Sequence, residues 1–351
     1  MMKKALLVIG DEKIARKRPH ISFRRFIGHA RRLKNKEPFE LKIINYTQLL
    51  SKAAPAISAS LIKVIFFFPY QYWNRNIETY QNGKIYGDKT FGGQFRVFFK
   101  EVKKTIEAHY AGKKIEYLIH PRLCCLDRDK QASKNALTKG AISTPRTFSV
   151  SSFRGVQRLL SQGLDLYIKP RFGAMGKGIT YLNKEEAVSN FLFRRGEVIS
   201  RLSDFNWKFS RIKDRQTFIK QLLKKGFICE EAIRPAIFKG RRFDFRVYVL
   251  FGKVIYFYAK SSEAGSCVTN WSQGGRIDKR ETILRKFPKQ KIAVLKNLAR
   301  KAARTLGLNF AGVDIIFSEN LKNAYVLEGN AFPGHEKSFD LMKSLAEKIC
   351  R

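Results

Sequence analysis

The chain has 351 residues, of which 44% are hydrophobic and 13% aromatic, a composition that excludes a disordered protein. Its 69 Lys and Arg residues against 29 Asp and Glu give a formal net charge of +40. Such an excess predicts attraction to phosphates, anionic lipid or acidic polypeptides, but it does not determine the fold. The five cysteines show neither a disulfide framework nor a zinc-binding spacing, so we expect a reducing, cytoplasmic compartment.

The sequence predicts no signal peptide and no transmembrane helix. The apolar run near the N-terminus covers only residues 5–9, which is too short for the hydrophobic region of a signal peptide. Residues 61–70 are strongly apolar, but they contain Lys63 and Pro69 and fall well below the ~20 residues of a membrane span.

Strands are predicted at residues 4–9, 41–45 and 115–119, with helical or irregular segments between them. This alternation is typical of a small open α/β unit. Residues 13–36 are densely basic. Residues 50–112 show no consistent pattern, and their aromatic cluster around 66–73 is expected to pack in the core.

A glycine-rich loop follows the next strand. A helix with Asp127 as its N-cap should end at Gly140, and a short helix at 152–161 precedes a strand at 164–169. The loop carries Gly173, Gly176 and Gly178. Glycine N–H groups in such a turn form a concavity for anions, and Lys169 and Lys177 add positive charge. The spacing matches neither a P-loop nor a dinucleotide fingerprint, so an ordinary glycine turn on a basic surface is the alternative.

The following segments complete the pattern of elements. Residues 183–225 look like a basic insertion of helical pieces, and 227–233 form a strand that carries Glu230 and Glu231. A hairpin is predicted from 243–250 and 254–259, with Asp244 and Arg246 on one face of its first strand. A polar loop then contains Asn270, Gly274 and Gly275. Apolar residues spaced by three and four predict an amphipathic helix over 292–306.

Two acidic residues are predicted to face each other near the C-terminus. Residues 310–317 and 324–330 form a hairpin centred on 321, which places Asp314 opposite Glu328 and directs Asn330 to the same face. Carboxylate and amide oxygens that remain open to water suit Mg²⁺ shared with substrate phosphates. The alternative is that either acid is exposed or paired with one of the many basic residues.

Taken together, these motifs resemble the ATP-grasp superfamily in order and spacing across residues 126–351. Within it, the chain is similar to glutathione synthetase and the ribosomal-protein glutamate ligases, and its long insertion resembles the spore-coat-associated ATP-grasp proteins. The resemblance implies an α/β (α+β) protein in which a small open α/β domain at 1–125 precedes an ATP-grasp domain at 126–351, with a lid-bearing subdomain at about 148–233. The residues that carry it are Asp129–Lys130, Lys169–Pro170, the glycine loop, Glu230–Glu231, Asp244–Phe245–Arg246, Asn270, Gly274–Gly275, Asp314 and Glu328–Gly329–Asn330.

The resemblance also implies a role for each of these residues. Lys130 and Lys169 would contact the α- and β-phosphates of ATP, and Asp244 would lie beside the ribose. Glu230 and Glu231 would lie beside adenine and ribose in an order that stays open. Arg246 and Lys260, the latter at a position where relatives more often carry Arg, would contact the transferred phosphoryl group or the acyl substrate. Asp314, Glu328 and Asn330 would hold one or two Mg²⁺, with Mn²⁺ as a substitute. The lid over the phosphates would comprise Gly173, Ala174, Met175, Gly176, Lys177 and Gly178, and its glycines predict a loop without side-chain packing.

The chemistry that the resemblance implies is carboxylate activation. A substrate carboxylate would take the γ-phosphoryl group of ATP, and an amine would then attack the acyl phosphate to give an amide, ADP and phosphate. Arg246 and the N–H groups of Gly274 and Gly275, in the loop with Asn270, are candidate oxyanion donors. Glu263 and Glu336 are candidate bases, and His335 could bind substrate. The carboxylate and the amine, from an amino acid or peptide, are not identified by the sequence.

Two other functions fit parts of the sequence. A basic, non-catalytic protein that binds RNA, an acidic polymer or a membrane surface would account for the charge. It would not account for Asp314, Glu328, Asn330 and the two lysines together. A kinase would use the same ATP site, but the H-R-D and D-F-G signatures of protein kinases are absent.

Overall fold

The structure is a computed structural model that describes residues 4–15, 18–36, 38–79, 85–202, 207–278, 280–334 and 338–350. Its strands are β1 (Lys4–Ile9), β2 (Lys13–Ala15), β3 (Arg18–Pro19), β4 (Glu40–Ile44), β5 (Leu61–Phe66), β6 (Lys114–Tyr117), β7 (Thr147–Phe148), β8 (Leu166–Lys169), β9 (Thr180–Leu182), β10 (Ala187–Ser189), β11 (Leu192–Arg194), β12 (Glu197–Ile199), β13 (Ser210–Arg211), β14 (Ile228–Glu231), β15 (Ile237–Phe238), β16 (Arg241–Leu250), β17 (Lys253–Glu263), β18 (Arg276–Asp278), β19 (Phe310–Phe317) and β20 (Ala324–Asn330).

Helices occur throughout the described chain. They are α1 (Ile21–Lys34), α2 (Tyr46–Leu50), α3 (Tyr70–Tyr72), α4 (Lys89–His109), α5 (Pro121–Cys124), α6 (Lys130–Lys139), α7 (Phe153–Ser161), α8 (Arg215–Lys224), α9 (Arg280–Lys286), α10 (Lys289–Thr305) and α11 (Leu341–Cys350). A π-helical turn covers Trp73–Ile77, and 3₁₀ turns cover Cys125–Asp127 and Trp271–Gln273. Within the described residues, no helix is both long and apolar enough to cross a bilayer.

The N-terminal sheet is parallel, with strand order β4-β1-β5-β6. Every residue of β1 after Lys4 is buried, which is typical of a parallel strand covered on both faces. Three predicted strands are confirmed here as β1, β4 and β6. The structure adds β5, where the predicted pattern was interrupted by Lys63; that side chain leaves the core and donates to the carbonyl oxygen of Ile349 at 2.8 Å.

The middle sheet has the order β13-β10-β9-β8-β14-β7, and its pairs are antiparallel. The prediction of helical pieces over 183–225 is wrong except for α8, because local turn chemistry bends the chain into short strands. The Asn183 side chain accepts from the amides of Glu185 and Glu186 at 2.9 and 2.8 Å and so turns β9 into β10. Arg195 and Gly196, at φ of 49° and 78°, turn β11 into β12.

Helix α6 begins two residues later than predicted. Asp127 lies in a 3₁₀ turn and accepts from the amide of Phe332 at 2.9 Å. Asp129 is the N-cap of α6, since its carboxylate accepts from the amide of Ala132 at 3.0 Å. The predicted end at Gly140 is confirmed.

The C-terminal sheet has the order β18-β17-β16-β19-β20, with β15 added beside β16. The predicted hairpin of β16 and β17 is confirmed, and the buried stripe of α10 covers this sheet with Ile292, Leu295, Ala299 and Ala302. The predicted pairing of Asp314 with Glu328 is also confirmed. A bulge lies immediately beyond this pair, so the two acids occupy an irregular position of the sheet.

Candidate functional site

A cleft between the middle and C-terminal sheets brings most of the predicted site residues together. It encloses about 690 Å³, including its open mouth. Predicted residues on its wall are Lys130, Lys169, Ala174, Met175, Gly176, Lys177, Asp244, Lys260, Asn270, Asp314 and Glu328. Residues that had not been predicted also line it, namely Tyr167, Ile179, Arg242, Cys267, Val268, Thr269 and Leu327.

One wall of the cleft is cationic. Lys130 is the first residue of α6 and donates to the carbonyl oxygen of Gly173, which joins the helix to the glycine loop. Burial lowers the pKa of Lys130 to about 8, although the charge of Glu328 opposes this shift. Lys169 ends β8 and pairs with Glu230 of the neighbouring strand β14. Two lysines from separate elements therefore reach the same wall.

Glu230 is a buried partner of lysines rather than a residue of the cleft lining. It pairs with Lys169 and also with Lys134, and both Glu230 and Lys134 are at least 95% buried. Burial alone would raise the pKa of the Glu230 carboxyl, but the charges of Lys169 and Lys134 outweigh it and lower that pKa to about 2. Glu231 instead pairs with Arg146 at 2.8 Å on the surface side. Neither carboxylate lines the cleft, and the predicted contacts with adenine and ribose stay a prediction.

On the opposite side lies a buried chain of alternating charges, in which Asp244, Lys260 and Asp314 line the cleft and Arg246 does not. Arg246 forms a bidentate pair with Asp314, with Nη2 2.8 Å from Oδ2. Lys260 bridges Asp314 and Asp244, at 3.0 and 2.8 Å, and Thr269 donates to Asp244. Burial would raise the pKa of Asp314, but Arg246 and Lys260 hold that pKa well below its usual range. Asp314 is therefore a carboxylate at any ordinary pH.

Glu328 and Asn330 stand beside this chain on β20. The Glu328 carboxylate is 4.0 Å from Nη2 of Arg246. Asn330 Nδ2 donates to the carbonyl oxygen of Gly312 at 3.0 Å and approaches Glu328 Oε1 at 3.3 Å. The Glu328 side chain is one-third exposed, whereas Asp314 is buried. The two predicted acids thus differ in exposure, although both line the cleft.

The donor set fits a hard cation such as Mg²⁺. Two carboxylates and one amide lie at adjacent positions of β19 and β20, and all supply oxygen. Across the described ranges, no cluster of three or more His, Cys, Asp or Glu could hold a metal by itself. Such a site needs further oxygens from substrate phosphates and water, as Mg²⁺ sites of nucleotide enzymes commonly do.

The glycine loop is packed against its neighbours, so the prediction of a loop without side-chain packing is wrong. The Tyr86 hydroxyl accepts from the amide of Ala174 at 2.7 Å. Ser272 and Gln273 both donate to the carbonyl oxygen of Met175, at 2.8 and 3.0 Å, and Asn190 donates to that of Gly176 at 2.7 Å. Gly176 and Gly178 adopt φ of 68° and 73°, for which glycine is the favoured residue.

Lys177 does not direct its ammonium group toward the centre of the cleft. Its side chain is buried, pairs with Glu78 and lies 4.3 Å above the centroid of the Tyr86 ring. In this arrangement the Lys177 ammonium is engaged by Glu78 and Tyr86, and its predicted phosphate contact stays a prediction. The neighbouring loop contributes Asn270, whose side chain lies against Gly176.

The N–H groups of Gly274 and Gly275 are used within their own turn. They donate to the carbonyl oxygens of Trp271 and Asn270, at 3.1 and 3.0 Å. In this conformation both N–H groups are engaged inside the turn, and their role as oxyanion donors stays a prediction. Gly275 has another reason to be glycine, because a Cβ there would lie 1.9 Å from the carbonyl oxygen of Thr269.

The candidate bases are not supported by the geometry. Glu263 lies at the end of β17, pairs with Arg241 at 2.6 Å and is absent from the cleft wall in the part of the chain that the structure describes. Glu336 and the candidate substrate residue His335 lie outside the described residues.

The model of the family described as "YheC/D like ATP-grasp" matches residues 134–351, more than half of the chain. The chain belongs to this ATP-grasp family. The predicted superfamily is thereby confirmed, and the resemblance to spore-coat-associated members is consistent with the YheC/D type.

Curated relatives of this ATP-grasp chain include amino-acid ligases. A tetrahydromethanopterin:alpha-L-glutamate ligase of Methanosarcina acetivorans is 29% identical over 231 residues, 60% of this chain and 61% of that protein. A probable alpha-L-glutamate ligase of Syntrophotalea carbinolica is 26% identical over 60% of this chain and 57% of that protein. The chain therefore spans about three fifths of the length of these relatives.

Solved structures share the fold over nearly the whole chain. The ATP-grasp ligase PsnB, in a complex with a precursor variant, Mg and ADP, has a TM-score of 0.56 at 14% identity, covering 99% of this chain and 98% of that one. The macrocyclase MdnC of Microcystis aeruginosa MRC, bound with its precursor peptide, has a TM-score of 0.55 at 11% identity, covering 98% and 99%. The predicted α/β ATP-grasp fold is confirmed.

Two residues of the ATP-grasp cleft could have been predicted from strand periodicity. Tyr167 precedes Lys169 by two positions on β8, and Arg242 precedes Asp244 by two on β16, so each shares a face with a predicted site residue. Arg242 donates to the carbonyl oxygen of Ser266 at 2.5 Å, and the Tyr167 hydroxyl donates to that of Cys267 at 2.7 Å. Both tie the 266–270 loop to the cleft. No sequence signal identified Lys134.

Proposed function

We propose that this ATP-grasp chain is an ATP-dependent carboxylate–amine ligase, which forms an amide and releases ADP and phosphate. The observation that carries the proposal is the single cleft in which Lys130, Lys169 and the glycine loop face Asp314 and Glu328. Cations and loop amides on one side suit phosphates, and oxygen ligands on the other side suit Mg²⁺. The curated glutamate ligases support the same reaction class.

Each predicted site residue would have a role that follows from its position in the cleft. Lys130 and Lys169 would bind the α- and β-phosphates, and Asp244 would lie at the ribose end of the cleft. Asp314, Glu328 and Asn330 would hold one or two Mg²⁺, or Mn²⁺ in its place, which supplies charge neutralisation for phosphoryl transfer. Arg246 and Lys260 would exchange part of their pairing with Asp314 for the transferred phosphoryl group or the acyl oxygen, since both already lie beside that carboxylate.

The proposal also covers the substrates, the domain boundaries and the cellular compartment. Because the curated relatives are named for glutamate, we place an amino acid, with glutamate first, as the amine, and an amino acid or peptide as the carboxylate. Residues 1–125 would form the preceding domain and 126–351 the ATP-grasp domain, with the lid-bearing part at about 148–233. The five cysteines are free thiols, in keeping with a cytoplasmic enzyme.

The test is ADP release in the presence of Mg²⁺ and ATP with pools of amino acids and acidic peptides. A ligase releases ADP only when a carboxylate and an amine are both present, so omission of either pool should return the rate to background. A phosphorylated product formed without any amine would identify a kinase instead. Absence of ATP binding would favour the non-catalytic alternative, for which the family match and the relatives give no support.

The net positive charge of the chain also favours a polyanionic binding partner besides ATP. Helix α1 has no acidic residue, and its exposed face carries Arg24, Arg25, Arg31, Arg32 and Lys34. Arg16 and Lys17, which belong to the same predicted basic stretch, lie outside the described residues. Basic positions of the insertion and of α10 add to the excess. An acidic peptide or polymer could contact several of these segments at once.

We expect polyglutamate to bind more tightly than a neutral peptide at low salt. Its affinity should fall about tenfold or more between low and physiological salt, because several exposed cations release counterions together. ATP binding inside the cleft should fall much less. Titrations of polyglutamate, a neutral peptide and ATP at several salt concentrations make the comparison. Equal binding of the two peptides at low salt would show that the basic surface is merely solvated.

A further inference from the structure

The glycine loop is contacted by a segment that lies outside the family match. That segment consists of the described residues 78–79 and 85–88, between the π-helical turn Trp73–Ile77 and α4, far upstream of residue 134. It contributes Glu78 and Tyr86, and both reach the loop directly. Neither residue belongs to any motif that the sequence resemblance rests on.

Glu78 is held in place on both of its carboxylate oxygens. Trp73 Nε1 donates to Oε2 at 2.6 Å, and the Lys177 ammonium pairs with Oε1. Only 2% of the Lys177 side chain and 14% of the Glu78 side chain are exposed. Removal of one partner from a buried charge pair leaves the other charge poorly solvated, which costs far more than breaking a surface salt bridge.

Tyr86 grips the loop at a second point. Its hydroxyl accepts from the amide of Ala174 at 2.7 Å and donates to the carbonyl oxygen of the same residue at 3.2 Å. The Lys177 Nζ lies 4.3 Å from the centroid of the Tyr86 ring. The backbone amide of Tyr86 donates to Ser200 Oγ at 2.7 Å. The fit is close, since a Cβ at Gly173 would lie 2.8 Å from the Tyr86 ring.

The surrounding packing makes this contact rigid. A Cβ at Gly87 would lie 2.3 Å from Pro170, and one at Gly92 on α4 would lie 2.0 Å from the Phe172 ring. The two glycines therefore allow the N-terminal segment to approach the residues that lead into the loop. On the far side, Ser272 and Gln273 hold Met175. The loop thus spans the mouth of the cleft between two supports.

We propose that Glu78 and Tyr86 are positioning residues that hold the glycine loop across the cleft. Lys177 is then the loop's attachment to the N-terminal segment and not a phosphate ligand. The positioning role depends on the proposed function only in that the loop is taken to cover the phosphates of ATP. A loop already held near its covering position would lose less conformational entropy on binding nucleotide than a free one.

Hydrogen exchange of residues 172–178 in the nucleotide-free protein tests the attachment. Glu78→Gln, Tyr86→Phe and Lys177→Gln should each accelerate exchange about tenfold, as expected for loss of one hydrogen bond to a charged or buried partner. The double variant Glu78→Gln/Lys177→Gln should exchange no faster than either single variant, because both remove the same interaction. Tyr86→Phe keeps the ring, so it tests the attachment even if Glu78→Gln unfolds.

Matched controls lie in the same part of the chain. Tyr46→Phe removes a buried hydroxyl bond to the carbonyl oxygen of Phe67, 2.6 Å long, and Glu107→Gln removes the pair with Lys103 at 2.6 Å. Neither contacts the loop, so both should leave its exchange unchanged. If folded Glu78→Gln and Tyr86→Phe variants exchange like the wild type, the positioning role is wrong.

Titration of Mg-ATP separates this proposal from the proposed function. The wild type should bind Mg-ATP, and Glu78→Gln should bind it about tenfold more weakly. If the wild type binds no ATP but the variants still release the loop, the attachment stands and the ligase function fails. If Glu78→Gln binds Mg-ATP more tightly than the wild type, Lys177 is a phosphate ligand withheld by Glu78, which overturns the positioning role.

Discussion

Replacement of Lys169 by alanine is expected to weaken Mg-ATP binding by about tenfold to a hundredfold. Lys169 ends β8 on the cationic wall of the cleft, and a hydrogen bond to a charged group contributes about 1.5–3 kcal/mol. The buried Glu230 keeps Lys134 as a partner in this variant, so the fold should survive. Calorimetric titration with ATP, with and without Mg²⁺, measures the effect.

The matched control is Lys103→Ala, which removes a lysine of α4 that pairs with Glu107 on the surface and is absent from the cleft wall. Its affinity for Mg-ATP should equal that of the wild type. An unchanged affinity in Lys169→Ala would show that nucleotide binds elsewhere or not at all.

Replacement of Glu230 by glutamine is expected to lower the free energy of unfolding by about 3–5 kcal/mol at neutral pH. The substitution leaves Lys134 and Lys169 without their shared counter-charge in a buried position, and such broken pairs cost about this much. The neighbouring Glu231→Gln breaks only a partly exposed pair with Arg146, so it should cost no more than about 1 kcal/mol. Urea unfolding of the three proteins measures both values.

The effect of Glu230→Gln should depend on pH in a defined window. The pKa of Glu230 falls from a model-compound value of 4.5 to about 2 in the folded chain. A depressed carboxyl pKa contributes stability that is fully present above the unfolded value and is lost as the pH falls through the folded value. The difference in free energy of unfolding between wild type and Glu230→Gln should therefore stay constant from pH 7 to about 5 and become smaller below pH 4.5. A gap that widens on acidification would contradict the buried ion pair.

Strand periodicity was enough to predict the acidic half of the site. Asp314 and Glu328 pair across the hairpin as predicted. The pairs nearer the turn are offset by one residue from the predicted register, and the bulge between Asp314 and Ile315 restores it. The same reasoning placed Asp244 and Arg246 on one face, where Lys260 and Asp314 meet them. Local spacing and side-chain alternation carried this information.

Strand periodicity could not predict the contacts that Tyr86 and Glu78 make with the glycine loop. Tyr86 and Ala174 are 88 residues apart, and Glu78 and Lys177 are 99 apart, so their contact depends on how two sheets pack. Glycines that suggest a free loop can equally mark a close approach of another segment, as Gly173 does beside Tyr86. Gly275 likewise accommodates the close approach of the Thr269 carbonyl oxygen.

The basic insertion at residues 183–225 was wrongly predicted as helical, because its many charged residues do not show the alternating pattern of a strand. Asn183 and the Arg195–Gly196 turn reverse the chain after only a few residues, which leaves no room for helical periodicity. The ATP-grasp resemblance implied a place beside the nucleotide for Glu230, but it gave no sign that the buried Glu230 side chain pairs with two lysines. Burial of a charge is decided by tertiary packing and not by the local pattern.

The most direct test of carboxylate activation is oxygen transfer from the carboxylate to phosphate. A substrate pair found by ADP release is supplied with ¹⁸O in both carboxylate oxygens, together with unlabelled Mg-ATP. Attack of the carboxylate on the γ-phosphorus, followed by attack of the amine at the acyl carbon, leaves one carboxylate oxygen on the phosphate that is released. We predict one ¹⁸O in each phosphate and one in the amide carbonyl. Phosphate without ¹⁸O would contradict an acyl-phosphate route, and with it the central claim that this cleft activates a carboxylate.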